Sequence, residues 1–408
     1  MTAQNISLKS ADELADVPIL DIDPYSEAFL TDPYPYHAEI RDAGPVVWLS
    51  KYQTWAIGRF SEMQTCLKDF ETFCSSAGVG LANFKNEEPF RPPSIVLEAD
   101  PPDHTRTRGV IGRAMSQKSV SALKEDFEQD ADVMLDDLVE RGDIDGVQDL
   151  AIAYPLKVFP DAVGIGEEGR ENLLVYGNMV FNAVGPRNAL FEESAKEFAK
   201  VSSWIMEHCE RSALIPGGLG EAIYGGADSG DITEEEAGML VRSLLTAGVD
   251  TTVAALGNAL LAFAEHPEQW DLLHQDPSLA KQAFEETLRF DGVVQTFYRT
   301  TTREVEIGNV KLGKHEKVLC FFASANRDPR RWDDPDTLDI MRPNNAHIAF
   351  GAGIHRCVGQ RVAQMEGEII LRKLAERVKK IELTGPAERR LNNALHTLGK
   401  LPLKLTAA

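Results

Sequence analysis

The sequence predicts a mainly α-helical chain with small β-sheets, folded as a single domain, and three observations predict it. Apolar residues recur at helical spacing through 118–138, 167–183, 189–211 and a long run over 234–265. Runs rich in β-branched and aromatic residues are short; they lie near the start of the chain and again after residue 295. No internal repeat, low-complexity linker or shift in composition divides the rest. One domain over 21–408 is therefore preferred, although 408 residues would allow two or three, and 1–20 reads as a flexible acidic N-terminus.

Pro24, Pro33 and Pro35 punctuate an extended entry, followed by a short helix that ends near Gly44. The runs 46–49 and 54–58 fit a hairpin, and Ser61 reads as the cap of a helix through Lys68. Periodicity disappears over 74–97, and a loop of that length inside a compact domain is functional or disordered. Asp100-Pro101-Pro102 opens the next helix with a cap and proline in the first turn, setting His104 and Arg108 four apart on one face. Three helical stretches follow, separated by Gly and Pro. Thr233-Glu-Glu-Glu236 is a capping box at the head of the longest helix, which His266-Pro267 ends. Inside it stands Ala247-Gly248-Val249-Asp250-Thr251-Thr252. Glycine there costs roughly 1 kcal/mol relative to alanine and threonine hydroxyls divert preceding carbonyls, so the helix is expected to bend or open. A helix over 279–290 carries Glu286 and Arg289 and leads to β runs at 296–302, 305–307, 310–312 and 318–322. A charged, proline-rich meander over 326–343 delivers the chain to a glycine-rich loop.

A hydrophobic fraction of 43% is ample for a large core, while a formal charge of −22 argues against nucleic acid or an anionic membrane as partner. The five cysteines, Cys66, Cys74, Cys209, Cys320 and Cys357, lack paired spacing and point to a reducing compartment. Residues 1–17 lack the basic-then-apolar order of a signal peptide. The longest apolar tract, 239–264, is interrupted by Arg242, Asp250 and Asn258, so a cytoplasmic protein without a membrane anchor is expected.

The loop at 350–359 reads Phe-Gly-Ala-Gly-Ile-His-Arg-Cys-Val-Gly, and a helical pattern runs from near Val358 through Glu368. A sulfur at a helix N-terminus faces unpaired N–H groups and the positive end of the dipole, which favours the thiolate. Gly351, Gly353 and Gly359 omit side chains that would hold off the backbone or a flat ligand. With no second ligand at zinc spacing, a lone thiolate suits haem iron, which needs one axial donor; a structural cysteine beside a turn is the alternative. His104 and Arg108 would then grip an anion such as a haem propionate, or else line a solvated helix face. The opened turn near Asp250 and Thr251 would leave room for dioxygen and water, with an acid and an alcohol placed to deliver protons, or else it is a kink in a core helix.

The loop matches Phe-x-x-Gly-x-x-x-Cys-x-Gly, and the chain resembles the bacterial class I cytochrome P-450 family of haem-thiolate monooxygenases from Asp32-Pro33-Tyr34-Pro35 to its C-terminal strands. The resemblance implies an α-rich and a β-rich part around a buried haem b, with the Cys357 thiolate as axial ligand beside Phe350. It places His104, Arg108, Arg299 and His355 on the propionates and makes Asp250 and Thr251 the acid–alcohol pair that promotes O–O cleavage. Glu286 and Arg289, which alone read as a surface ion pair, are joined by Arg342 to hold the cysteine loop. No flavin or nicotinamide motif is fused to the chain, so an iron–sulfur ferredoxin with a separate reductase supplies electrons. Arg356 and Arg361 are its expected docking residues, unless they are simply solvated.

A narrower resemblance lies in Phe73-Cys-Ser-Ser76, Arg91-Pro-Pro-Ser94, Leu97-Glu-Ala-Asp-Pro-Pro102, Leu240-Val-Arg-Ser-Leu-Leu245 and Val294-Gln-Thr-Phe297. These are similar to bacterial enzymes that oxidise para-substituted benzoates, chiefly 4-methoxybenzoate O-demethylases. That likeness implies that Arg91, Ser94 and Ser243 gather the substrate carboxylate, with Arg242 adding positive charge. Leu97, Phe181, Ala247, Val294 and Phe297 become the apolar walls that fix which C–H reacts. Such relatives place a second phenylalanine three residues after Phe181, where this chain has Val184, so larger para substituents are also expected. Competing expectations are another aromatic or carboxylic acid substrate, or a haem-based sensor without turnover.

Overall fold

One six-stranded sheet gathers strands from the start of the chain and from residues 296–321, while a three-stranded sheet packs within the main helical core. The computed structural model describes residues 9, 14, 16–89, 92–343 and 346–408. Strand β1 (Ile19–Leu20) lies parallel to β2 (Val47–Leu49), so residues 19 and 20, expected within a flexible N-terminus, are part of a sheet. Helices α1 (Glu27–Thr31) and α2 (Tyr34–Ala43) follow, and β2 pairs antiparallel with β3 (Thr54–Ile57) as the expected hairpin. Helix α3 (Phe60–Lys68) begins one residue before Ser61; its first N–H, on Phe60, donates to Asp328 Oδ2 at 2.9 Å. That cap comes from 268 residues away, which local spacing does not reveal. Strand β4 (Phe73–Cys74) leads into 75–102, where no helix or strand forms among the described residues.

The helical part starts with α4 (Asp103–Ala114), α5 (Gln117–Ala122) and α6 (Lys124–Arg141), so the one helix expected over 118–138 is broken at Leu123. After β5 (Asp143–Asp145) and a π-helical turn, Gly146–Ile152, come α7 (Ala153–Val163), α8 (Asn172–Asn182), α9 (Ala189–His208) and α10 (Leu219–Asp228). Helix α7 contains Pro160 and α10 three glycines, breaker residues that hide both from a periodicity reading. The capping box forms: Glu236 N donates to Thr233 Oγ1 at 3.1 Å and Thr233 N to Glu236 Oε2 at 2.8 Å. It opens α11 (Glu234–Gly248), which continues as α12 (Asp250–Glu265). The pair is long and apolar enough to cross a membrane, yet 83% of its apolar window is buried inside the fold. It runs through the main core, where each fully buried Leu or Phe contributes roughly 1.5–3 kcal/mol.

Helices α13 (Pro267–Gln275) and α14 (Ala280–Phe290) return the chain to the strands β6 (Thr296–Thr301), β7 (Val305–Ile307), β8 (Val310–Leu312) and β9 (Lys317–Phe321). A six-stranded sheet results, ordered β1-β2-β3-β9-β6-β4, with β9 parallel to β3 and antiparallel to β6. A second core forms on it around Trp48, Trp55 and Phe73. The short helix α15 (Phe322–Asn326) precedes the meander, and α16 (Gln360–Arg377) follows the cysteine loop. The chain closes with β10 (Val378–Leu383), β11 (Glu388–Arg390), β12 (Thr397–Lys400) and β13 (Pro402–Ala407): β10 and β5 flank β13, and β11 pairs with β12.

Candidate active site

The cysteine loop is shaped by its own backbone. Gly351 and Gly353 lie at φ 71° and 69°, the left-handed region that favours glycine. A Cβ on Gly353 would stand 2.3 Å from Leu67 O, so the loop rests directly on the end of α3. Gly359 differs: its φ is −79° and a Cβ there would meet Cys357 Sγ at an ordinary 3.8 Å, so within the protein neither backbone conformation nor packing requires glycine at that position. Cys357 N donates to Phe350 O at 2.8 Å and closes the loop. Four cysteines are buried and Cys357 is exposed.

Burial nevertheless pushes the Cys357 thiol above its usual value, against the N–H groups of Gly359 and Gln360 and the charges of Arg108 and Arg356, which pull it down. The sulfur is open to a cleft lined by protein, reachable and still desolvated. The expected pull of the helix terminus toward the thiolate is exerted by the Gly359 and Gln360 N–H groups, and burial opposes it.

Beside the loop, the His104 and His355 rings lie 4.4 Å apart, both side chains largely enclosed, and neither Nε2 has a hydrogen-bond partner. Burial, helped by His355 and Arg108, lowers His104 to about 4; His355 is also lowered, chiefly by burial. Arg108 Nη2 donates to Arg356 O, and buried Arg299 gives Nη1 to Tyr298 O at 2.9 Å. Asp100 does not cap α4, whose N-cap is Pro102; its carboxylate accepts instead from Ser75 N and Ser76 N at 3.1 and 3.0 Å. Two imidazoles with orphaned nitrogens and two guanidiniums beside one reachable sulfur form a donor set that fits a flat cofactor with anionic arms. Among the described residues no group of three His, Cys, Asp or Glu could hold a metal ion.

The meander that leads to the loop is gripped by a buried ion cluster. Arg289 makes two bonds to Glu286, at 2.7 and 2.8 Å, and Arg342 Nε reaches Glu286 Oε1 at 3.1 Å. Remaining guanidinium donors meet carbonyls of the meander, Pro335 and Thr337 for Arg289, and Asp333, Asp334 and Thr337 for Arg342. All three residues are buried, so the surface-pair reading does not hold.

Across the cleft, the long helix is interrupted at Val249 (φ −96°, ψ −68°), where the sequence predicted a break. Thr251 Oγ1 donates to Ala247 O at 2.7 Å and Thr252 Oγ1 to Gly248 O at 3.2 Å, diverting both carbonyls from the ladder. Gly248 also has a packing reason: a Cβ there would lie 2.1 Å from Phe159 Cε1 on α7. Ala247 is exposed and Thr251 half-buried, on the face toward the cleft, whereas Asp250 is 1% exposed and turned toward α8 and β11. Neither Asp250 oxygen accepts a hydrogen bond, and Arg390 Nη2 stands 3.7 Å away. Burial pushes this carboxyl up to about 6, against the pull of Arg390.

The expected substrate contacts divide into two groups. Arg91 lies outside the described residues. Ser94 Oγ accepts from Leu97 N at 3.1 Å and keeps its proton for another partner, whereas Ser243 Oγ donates to Met239 O at 2.8 Å and must rotate to donate elsewhere. Arg242, half-buried, touches Met206 Sδ at 3.5 Å and pairs with no carboxylate among the described residues. Val294, Phe297 and Leu97 are half-buried, and Phe181 and Val184 are buried in the main core. Sequence reasoning missed Val184's backbone role, accepting from Leu81 N at 2.8 Å, and Lys317, whose Nζ holds Ala77 O and Gly78 O at 3.1 and 2.7 Å. It also missed Phe159, Gly177 and Arg390; a glycine inside an apolar helix was the one signal that could have found Gly177.

A helix opened at an acid–alcohol pair and one reachable cysteine flanked by anion-binding donors are the features expected of a haem-thiolate oxygenase. Comparisons with known proteins agree. The Cytochrome P450 family model matches residues 221–379. The chain is 51% identical over 395 residues to Cytochrome p450 CYP199A2 from Rhodopseudomonas palustris, covering 97% of this chain and 96% of that protein. It is 30% identical to Cytochrome P450 107B1 from Saccharopolyspora erythraea, covering 94% and 98% of the two chains. The solved structure of Cytochrome P450 CYP109Q5 from Chondromyces apiculatus matches with a TM-score of 0.79 at 29% identity, over 95% and 99% of the two chains. The chain belongs to the cytochrome P450 family, monooxygenases that bind haem b through a cysteine thiolate.

Proposed function

We propose that this monooxygenase oxidises para-substituted benzoates, removing the methyl group of 4-methoxybenzoate and hydroxylating para-alkyl analogues, with electrons from a cytoplasmic ferredoxin. Haem b held by Cys357 supplies the activation of dioxygen. His104, Arg108, Arg299 and His355 hold its anionic arms, and Phe350 packs beside it. The reaction consumes two protons and two electrons as one oxygen atom enters the substrate and the other leaves as water. Thr251 Oγ1, which donates to Ala247 O, would rotate to present its proton on the cleft side, and Asp250 would turn from Arg390 to replace it. Arg356 and Arg361 are exposed next to the cysteine and offer an acidic ferredoxin a positive face.

The observation that carries the substrate reading is the spacing along the long helix. Ser243, Ala247 and Thr251 share one face, so at about 1.5 Å per residue the two hydroxyls stand roughly 12 Å apart along the axis. A benzene ring with groups at opposite ends fits such a span: carboxylate toward Ser243, Ser94 and Arg242, reacting carbon toward Thr251. Arg242's lack of a protein carboxylate supports an anionic ligand at that end, because a half-buried cation without a counter-ion is costly. Leu97, Phe181, Val184, Ala247, Val294 and Phe297 supply apolar walls between.

A spin-state titration of the holoenzyme with para- and meta-substituted benzoates tests the reading. The para series is expected to shift the haem to high spin and the meta series to leave it. Equal responses would remove the substrate assignment and leave the family intact. Val184→Phe is expected to weaken 4-alkylbenzoates of greater length by about tenfold while sparing 4-methoxybenzoate, the scale of one or two methylenes in an apolar pocket.

A further inference from the structure

Asp250 is held by two neighbours on elements distant in sequence. On α8, Gly177 lies so close that a Cβ would stand 2.6 Å from Asp250 Oδ2. On β11, Arg390 Nη2 is 3.7 Å from Oδ1, and Arg390 Nε is buried with no hydrogen-bond partner. Other ionisable groups on these elements point elsewhere: Tyr176 stacks on Phe198, and Arg389 bonds Asn258 Oδ1 and Asp291 Oδ2. Among the described residues, Arg390 is thus the charged group the structure sets against this carboxylate.

The turn after Arg390 is tied to the same helix α8. Asn392 Nδ2 donates to Asn178 Oδ1 at 3.1 Å, Asn393 N to Asn182 Oδ1 at 2.9 Å, and Asn393 Nδ2 to Asn182 O at 2.9 Å. Gly177 and Phe181 are one turn apart on α8, so the face that touches Asp250 also carries a residue of the apolar wall. Arg390, Asp250 and α8 therefore form one packed unit.

We infer that Arg390 is a positioning residue for the acid of the proton relay: it holds the Asp250 carboxylate in an orientation turned away from the cleft, and sets how readily that acid keeps a proton. The inference rests on the relay assigned above to Asp250 and Thr251. A carboxylate with no hydrogen bond and a cation at 3.7 Å is held by charge alone, so it can be released by a small shift of either partner. Burial raises the Asp250 pKa and Arg390 opposes it, so loss of the guanidinium must raise it further.

The test uses the holoenzymes of Arg390→Gln, Arg390→Lys and Asp250→Asn. Protonation of Asp250 is followed by infrared difference spectroscopy across pH, its carboxyl band being the one absent in Asp250→Asn. Arg390→Gln is expected to move the midpoint upward by about one pH unit or more, the usual effect of removing an opposite charge within about 4–6 Å. Arg390→Lys should restore most of the shift, and the pH profile of product formation should move with the midpoint while KM stays constant. An unmoved midpoint in Arg390→Gln, or equal midpoints for Gln and Lys, would overturn the inference. If Arg390→Gln does not fold, Gly177→Ala takes its place: the added Cβ must displace Oδ2, and an unchanged midpoint there overturns it equally. Undiminished product formation in Asp250→Asn would sink the relay itself, a distinct outcome from an unmoved midpoint with an impaired Asp250→Asn.

Discussion

The two faces of the cleft are held by different forces. On the cysteine face, two left-handed glycines and a backbone bond from Cys357 to Phe350 shape the loop, and the buried Glu286–Arg289–Arg342 cluster grips carbonyls of the preceding meander. On the opposite face, Asp250 has no hydrogen bond, and the helix break is kept by Phe159, Gly177 and two threonine hydroxyls. The difference teaches where rigidity is required. A ligand sulfur must stay at one position, while a group that passes protons has to change partners, so it is packed but not bonded.

The sharpest way to break this comparison is to remove the sulfur. Cys357→Ser is expected to abolish the red-shifted Soret band of the reduced, carbon monoxide-treated protein and to bring product formation to background. Retention of that band would place the ligand elsewhere. Next in size, Glu286→Gln leaves Arg289 and Arg342 buried without their shared counter-ion and is expected to cost about 3–5 kcal/mol in urea unfolding. Asp250→Asn should cost less than about 1 kcal/mol in the same assay, since its carboxyl accepts no hydrogen bond and its one charged neighbour, Arg390, is a third exposed. Comparable losses would mean that the two faces are equally rigid.

Thr251→Ala is expected to lower product formed per electron pair by about tenfold or more, the low end for proton-transfer groups, with little change in unfolding free energy. Undiminished product would remove Thr251 from the mechanism. The smallest effect concerns pH. His396, beside Asp291 at 3.4 Å, is lowered to about 4 by burial, against an unfolded value of 6.5. Between those two values the unfolded chain binds the extra proton, so stability falls as pH drops from 6.5 toward 4, by about 1 kcal/mol per pH unit. His396→Asn should flatten that slope in denaturant titrations at stepped pH, and an unaltered slope would assign it to other groups.

Elements whose signals are local were legible in the sequence. The capping box of α11, the hairpin of β2 and β3, the break beside Asp250 and the glycine-rich cysteine loop each depend on residues within a few positions of one another. The clusters around Glu286 and around His104 became legible only through the family resemblance, because neither Glu-x-x-Arg nor His-x-x-x-Arg is distinctive alone. Helices α7 and α10 escaped because Pro160 and three glycines mask a period that tertiary packing overrides.

The sequence alone therefore determined the helical class, the single ligand sulfur and the placement of an acid and an alcohol at a helix break, all properties of residue type and short-range spacing. Tertiary structure alone decided that Asp328 caps α3, that Arg289 and Arg342 meet on one buried glutamate, and that Asp250 lies between Gly177 and Arg390. The physical reason is common to the three. Burial and charge act through space, between atoms that the chain brings together from segments far apart, and no local pattern records which segments those are.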